Sequence, residues 1–344
     1  MAMSTTEAVV TFLSALALCA VALPLLIPRL IAMGLVDVPN ERSSHVAETA
    51  RGGGLAVVAA ALLVAIVVAQ ISLAEHGGLG FSALVVVIVT FALVGLADDI
   101  LGGISPRARM GACFLAAIVG GAVIVSDSGR SVGVAFVLAP VAGAWIVAYT
   151  NAFNFMDGIN GISALQGAVG AGVMWYLGAA DAIPVLVVFG AALSGAALAF
   201  FPFNVIGQRV FLGDVGSYGI GSALGALAVF AVAWGEAPFA AAAFALPYAC
   251  DTGATLARRL RHGEQWWKPH RQHAYQRLTD LGLSHVTVAA VVAAASALCA
   301  AAGIVSRDRP LGMQAALVVA AGAVALTYAL VPEVLYQRSS DRQA

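Results

Sequence analysis

Long apolar runs, interrupted by short polar patches, fill this chain from end to end. The runs reach the roughly 17 or more residues needed to cross a hydrocarbon core of about 30 Å. Segmenting at charges and at Gly, Pro and Asn clusters predicts about eleven helices, at 8–30, 54–73, 81–97, 109–126, 132–149, 162–179, 182–200, 218–235, 238–257, 285–305 and 313–332. Most connectors are short, which suits antiparallel neighbours in one bundle. The expected fold is all-α, a polytopic integral membrane helical bundle forming a single domain over residues 1–344. The polar patches fall in loops at about 31–53, 98–108, 150–161, 201–217 and 258–284.

Composition narrows this picture. With 61% hydrophobic and 10% charged residues, the chain is far from the roughly 25% charge of soluble domains. Ala8–Leu30 lacks a basic leader and a small-residue cleavage site, so it reads as a retained helix. Of the 17 Lys and Arg, only Arg130, Arg307 and Arg309 fall on one side, which leaves fourteen on the other. The positive-inside rule then puts the fourteen in the cytoplasm, the N-terminus outside and the C-terminus cytoplasmic. A net charge of −1 gives no reason to expect a nucleic-acid partner. The four cysteines sit in apolar runs without CxxC spacing and read as small buried hydrophobes.

All the polar patches fall on the cytoplasmic side of that topology. They are Arg42–Gly54, Ala97–Gly102 (ADDILG), Asn151–Ile162 (NAFNFMDGINGI), Phe211–Ser217 (FLGDVGS) and Lys268–Leu278 (KPHRQHAYQRL). ADDILG, NAFNFMDGINGI and FLGDVGS contain no Lys or Arg, so their agreement with the charge count is independent of it. Asp98 and Asp99 end the third helix, where adjacent carboxylates repel and one aspartate in the membrane core costs about 2.5–3.5 kcal/mol. At the interface they can bind Mg²⁺ or accept a proton. Asn151, Asn154 and Asp157 share an arc of about 120° on one helical face, and Asp157-Gly158 and Asn160-Gly161 then break the helix. Carboxamides beside a carboxylate suit a sugar or a nucleobase. Asp214, between Gly213 and Gly216, opens the eighth helix. Its carboxylate is a ligand for diphosphate-bound Mg²⁺, and free amides at that helix start favour phosphate.

The basic loop 258–284 carries Arg258, Arg259, Arg261, Lys268, Arg271 and Arg277, with Trp266 and Trp267 as interfacial anchors. His270 and His273 have a spacing that suits zinc, but no third ligand accompanies them; phosphate contact is the stronger reading, because Arg forks match phosphate geometry. Asp251, about two turns before Arg258, either pairs with a nearby arginine or faces the site. His45 shares its loop with Arg42 and Arg51. Together these groups describe phosphoryl transfer at a membrane surface, which is mostly positioning and charge neutralisation.

Asp98-Asp99, NAFNFMDGINGI, FLGDVGS and PHRQHAYQRL occur in an order and spacing that resembles the polyprenyl-phosphate N-acetylhexosamine-1-phosphate transferases, over Arg42 to Arg277. The resemblance implies transfer of a sugar 1-phosphate from a UDP-N-acetylhexosamine to undecaprenyl phosphate, with release of UMP. It implies Mg²⁺, with Mn²⁺ as the alternative ion, and a site facing the cytoplasm at the bacterial inner membrane among membrane lipids. A homodimer is compatible with it. By resemblance, Asp214 is the metal ligand, with Asp157 beside it. Asp98 and Asp99 lie at the lipid phosphate, one of them deprotonating it, and His270, Arg271 and His273 serve the diphosphate. Arg51, Asn151, Asn154, Asp157 and Asn160 surround the substrate.

The chain also departs from the family pattern. Gly102 stands where some members carry a third aspartate, Asn160 where many carry aspartate, and Ala50 where proline is frequent. His-Arg-Gln-His-Ala-Tyr resembles the branch that initiates O-antigen, whose sugar is N-acetylglucosamine or a 6-deoxy relative such as N-acetylfucosamine or N-acetylquinovosamine. The alternatives are the phospho-MurNAc-pentapeptide transferase branch and, in another class, a secondary transporter. Transporters place ionisable groups near the bilayer midplane, often in repeated halves, and no repeat shows in this chain.

Overall fold

The computed structural model describes residues 3–37, 48–72, 78–235, 237–265 and 270–341. Arg42, His45, Trp266, Trp267 and Lys268 lie outside the described residues. The helices are α1 (Thr5–Ala32), α2 (Gly54–Ser72), α3 (Leu79–Leu101), α4 (Pro106–Asp127), α5 (Val132–Met156), α6 (Ile162–Ala180), α7 (Pro184–Val205), α8 (Gly213–Gly235), α9 (Pro238–Ala242), α10 (Leu246–Arg261), α11 (Ala274–Asp280), α12 (His285–Ser306) and α13 (Leu311–Asp341). Among the described residues, nine helices are long and apolar enough to cross a membrane: α1 to α5, α7, α8, α12 and α13. The chain is a polytopic all-α membrane protein.

The expected ninth helix is interrupted. A 3₁₀ turn, Ala243–Ala245, separates α9 from α10, and Pro247 lies in the first turn of α10. Proline has no N–H to donate to the carbonyl four residues back, so one continuous α-helix cannot run through that point. The loop expected at 258–284 also contains a short helix, α11.

The bundle is organised around α8, which is buried along nearly its whole length and packs on α2, α3, α5 and α6. Small residues permit these close crossings, as expected in lipid. A Cβ at Gly95 in α3 would lie 2.2 Å from the Asp214 carbonyl oxygen, and one at Gly54 would lie 2.1 Å from Gly216 Cα. The first crossing brings the end of α3, with Asp98 and Asp99, against the start of α8.

A small sheet unforeseen in the sequence completes this arrangement. Strands β1 (Val36–Asp37), β2 (Thr49–Arg51) and β3 (Val210–Phe211) lie in that order, β1 antiparallel and β3 parallel to β2. Arg51 pairs in register with Phe211. The N–H of Gly53 donates to Phe211 O at 2.9 Å, and that of Gly54 to Leu212 O at 2.8 Å. These bonds fix Arg51 beside the start of α8.

Candidate active site

Asp99 is nearly fully buried, its side chain 1% exposed, and both of its oxygens are engaged. Oδ1 accepts the N–H of Asp214 at 3.0 Å and Oδ2 accepts that of Val215 at 2.9 Å. Asp99 thus caps α8 from another helix, satisfying N–H groups that have no partner within the helix. This corrects the reading of that helix start as a phosphate cradle, since an aspartate already occupies these amides. Arg51 donates from Nε to Asp99 Oδ1 at 2.8 Å and lies 3.2 Å through Nη2 from Asp214 Oδ1. Burial works against its charge, but Asp214, Asp99, Asp37 and Asp157 together raise its pKa above the ordinary arginine value.

The Asp98 and Asp214 carboxylates face each other closely enough for each to act on the other's ionisation. Two carboxylates so close repel unless a proton or a cation stands between them. Asp98 also accepts the N–H of Ile104 and pairs with Arg109 Nη1 at 2.6 Å. Asn154 donates its amide to Asp214 Oδ1 at 3.1 Å and to Ser217 Oγ at 2.8 Å.

Asp157 ends α5 as its C-cap, and Ser163 Oγ donates to its Oδ1 at 2.6 Å. Burial, reinforced by the Asp214 and Asp99 charges, pushes its pKa up to about 7, with Ser163 and Arg51 opposing. Asn151 instead turns its amide back to Val147 O and toward Met110 on α4. Asn160 is buried, and its backbone N–H meets His285 Nδ1 at 3.5 Å. Among the described residues, the side chains of Asn151 and Asn160 make no hydrogen bond to the aspartate cluster.

The histidine loop docks on the same end of α5. Tyr275 donates its hydroxyl to Phe155 O at 3.2 Å, and a Cβ at Gly158 would lie 2.0 Å from that hydroxyl oxygen. The His273 ring lies 6.4 Å from Phe155 and 5.0 Å from His270. Burial, then the nearby His273 and Arg259, lower the His270 pKa to about 4, so it is neutral at pH 7. Among the described residues, its buried Nδ1 has no hydrogen-bond partner. Arg271 pairs with Asp280 at 3.0 Å. Asp251 pairs with no arginine among the described residues; its Oδ1 lies 3.0 Å from Nδ1 of His273, a residue expected at the site.

Arg109, Ser163, Ser217 and Tyr275 belong to this site but were missed as site residues. Arg109 entered only as a charge in the loop count, and the other three are uncharged side chains, two of them, Ser217 and Tyr275, with partners 63 and 120 residues away. Two apolar cavities lie beside α5. One cavity of about 320 Å³ lies between α5 and α8, and a second of about 240 Å³ lies between α5 and α10. Trp145 lines both, and the first reaches Arg130, just before the start of α5.

A family model described as glycosyl transferase family 4 matches residues 79–232. The chain is 31% identical to the decaprenyl-phosphate N-acetylglucosaminephosphotransferase of Mycolicibacterium smegmatis, over 74% of this chain and 71% of that one. It is 28% identical to the protein of the same name from Mycobacterium tuberculosis, over 76% and 72%. A phospho-N-acetylmuramoyl-pentapeptide-transferase of Streptococcus pneumoniae is 30% identical over 52% of this chain and 58% of its own.

Proposed function

The chain belongs to glycosyl transferase family 4 and is a sugar-phosphate transferase of the membrane; from that premise we propose that it moves an N-acetylhexosamine 1-phosphate from a UDP-sugar to undecaprenyl phosphate, releasing UMP. The observation that carries this reading is the cluster of Asp98, Asp99 and Asp214, in which Arg51 bridges Asp99 and Asp214, Asn154 donates to Asp214, and Arg109 pairs with Asp98. Apolar cavities beside α5 offer room in the same bundle for a polyprenyl chain.

The donor set fits Mg²⁺. Asp98 and Asp214 offer hard oxygen ligands, and Asn154 turns its NH₂ to Asp214 and Ser217, which leaves its carbonyl oxygen open. Among the described residues, no three of His, Cys, Asp and Glu form a ready-made metal cage. That suits an ion which takes one or two carboxylates and completes its shell with phosphate and water. When bound, it offsets the diphosphate charge.

Arg109, held by Asp98 at the start of α4, receives the acceptor phosphate and keeps it ionised for attack on the sugar-bearing phosphorus. Arg51 holds Asp99 and Asp214 in place while charge shifts to the departing UMP. Neutral His270 and the charged Arg271 contact the donor phosphates. The fourteen-to-three distribution of basic residues supports a site facing the cytoplasm of a bacterium.

The His-Arg-Gln-His-Ala-Tyr motif supports a role in starting O-antigen or a related envelope polysaccharide, with a GlcNAc-like or 6-deoxy sugar. The longer match to relatives named as N-acetylglucosaminephosphotransferases favours that donor class over MurNAc-pentapeptide. The test is UMP release by purified protein with undecaprenyl phosphate, Mg²⁺ and a donor panel that includes UDP-MurNAc-pentapeptide. Lipid-dependent release with one N-acetylhexosamine donor, abolished in Asp214→Asn, is expected. Release only with UDP-MurNAc-pentapeptide, or release independent of the lipid, would sink the reading.

A further inference from the structure

Asp251 on α10 is a buried carboxylate, 1% exposed, that collects donors from several elements. Its Oδ1 accepts from His273 Nδ1 and from the Ala274 N–H, each at 3.0 Å, and from the Thr255 hydroxyl at 3.4 Å. Its Oδ2 accepts from the Tyr328 hydroxyl of α13 at 2.9 Å. A bare imidazole nitrogen facing a carboxylate would repel it, so the proton of His273 sits on Nδ1. Nε2 is then the nitrogen left over. The ring is also held by near-parallel stacking between Phe155 and Tyr275, at 27° and 17°. Ring orientation and proton position are therefore both specified by groups that do not touch the aspartate cluster. Phe155 belongs to the last turn of α5, between Asn154 and Asp157, and His270 lies against the His273 ring, 5.0 Å between centroids.

We propose that Asp251 is a positioning residue for sugar-phosphate transfer: it fixes the His273 ring and its Nδ1 proton, and through that ring sets His270 at the donor phosphates. This rests on the reaction assigned above. Partners one step removed from a functional histidine set its tautomer, and losing them costs about 10- to 100-fold in function.

The test combines ¹⁵N-histidine spectra of the detergent-solubilised protein with steady-state UMP release. His273→Gln identifies the His273 signals among the six histidines. The wild type is expected to show a proton on Nδ1 of His273 at pH 7. Asp251→Asn, whose amide can donate to a bare Nδ1, is expected to shift His273 toward the Nε2–H tautomer. Its kcat should fall about 10- to 100-fold, with donor KM nearly unchanged. Asp251→Glu, which keeps the charge, should retain the Nδ1 proton and recover part of kcat. A wild-type His273 without a proton on Nδ1 overturns the proposal, and that arm does not depend on any variant folding. So does Asp251→Asn with wild-type kcat, or with lowered kcat and unchanged His273 signals. The two readings fail separately: wild-type protein that releases no UMP with any donor overturns the reaction and shows in the activity arm alone.

Discussion

Asp99 caps the helix that carries Asp214, its Oδ1 accepting the Asp214 N–H at 3.0 Å. The two halves of the Asp98-Asp99 pair therefore face different tasks although they are adjacent in sequence. Asp99 is spent on α8 and Arg51, whereas Asp98 meets Arg109 and Asp214. Replacing Asp99 by alanine should cost about 1–2 kcal/mol of stability from the lost cap alone. Asp98→Asn should change stability little and lower kcat by about 100-fold or more, the size of effect that loss of a charge-stabilising group has in other enzymes. Thermal unfolding and UMP release on both variants check this. Equal destabilisation by the two substitutions would contradict the division.

Arg109 offers a way to separate the two substrates. It stands at the start of α4 and is held by Asp98 at 2.6 Å. If it receives the acceptor phosphate, Arg109→Ala raises KM for undecaprenyl phosphate about 10-fold or more, because a charged hydrogen bond contributes about 1.5–3 kcal/mol. KM for the UDP-sugar stays near its wild-type value. Lysine should restore only part of the affinity, since it lacks the planar fork. A rise in donor KM instead would move Arg109 to the nucleotide side.

Asp157 supplies a pH signature. Its folded pKa, pushed up to about 7 by burial first and by the Asp214 and Asp99 charges next, lies above the unfolded value of about 3.9. The folded state then holds a proton that the unfolded state has released, so stability falls as pH rises between those values. The contribution is fully present below about pH 4 and is lost as pH passes through about 7. Asp157→Asn has no such dependence. In the absence of Mg²⁺, the melting temperature of Asp157→Asn relative to wild type should rise from pH 4.5 to pH 7 and level off above pH 8. A constant difference across that range would show that Asp157 is not a raised, buried carboxylate.

The sequence made the spans legible because each is a long apolar run ended by charge or glycine, and ten of the eleven survive as single helices. The exception, at 238–257, was disguised by apolarity: Pro247 breaks the helix inside the apolar stretch 238–250. The candidate residues were legible as residue types, but their division of labour was not. Nothing in the local sequence distinguishes Asp98 from Asp99; the Gly95 crossing and the short parallel pairing of β2 with β3 make the difference. Asp251 was undecidable for a similar reason, since its partners His273 and Tyr328 lie 22 and 77 residues away.

Gly158 tests whether the histidine loop and the aspartate cluster form one working unit. The Asp157-Gly158 step reads in sequence as a helix breaker, yet the structure gives the glycine a second reason. A Cβ there would lie 2.0 Å from the Tyr275 hydroxyl oxygen and 2.9 Å from Cζ, with the hydroxyl donating to Phe155 O at 3.2 Å. Gly158→Ala must push Tyr275 away, and α11 with it, so that His273 leaves its place against Phe155. Catalysis should suffer, because a displacement of about 1 Å at a site costs about 100-fold in rate, and stability should fall with it, since Tyr275 is fully buried. Tyr275→Phe removes the atom that clashes first and gives up only the bond to Phe155 O. Combined with Gly158→Ala it should therefore restore part of the lost kcat, although Cζ remains close. UMP release by the two single variants and the double variant measures that coupling. If the losses simply add, the docking of the loop on α5 is not what Gly158 protects.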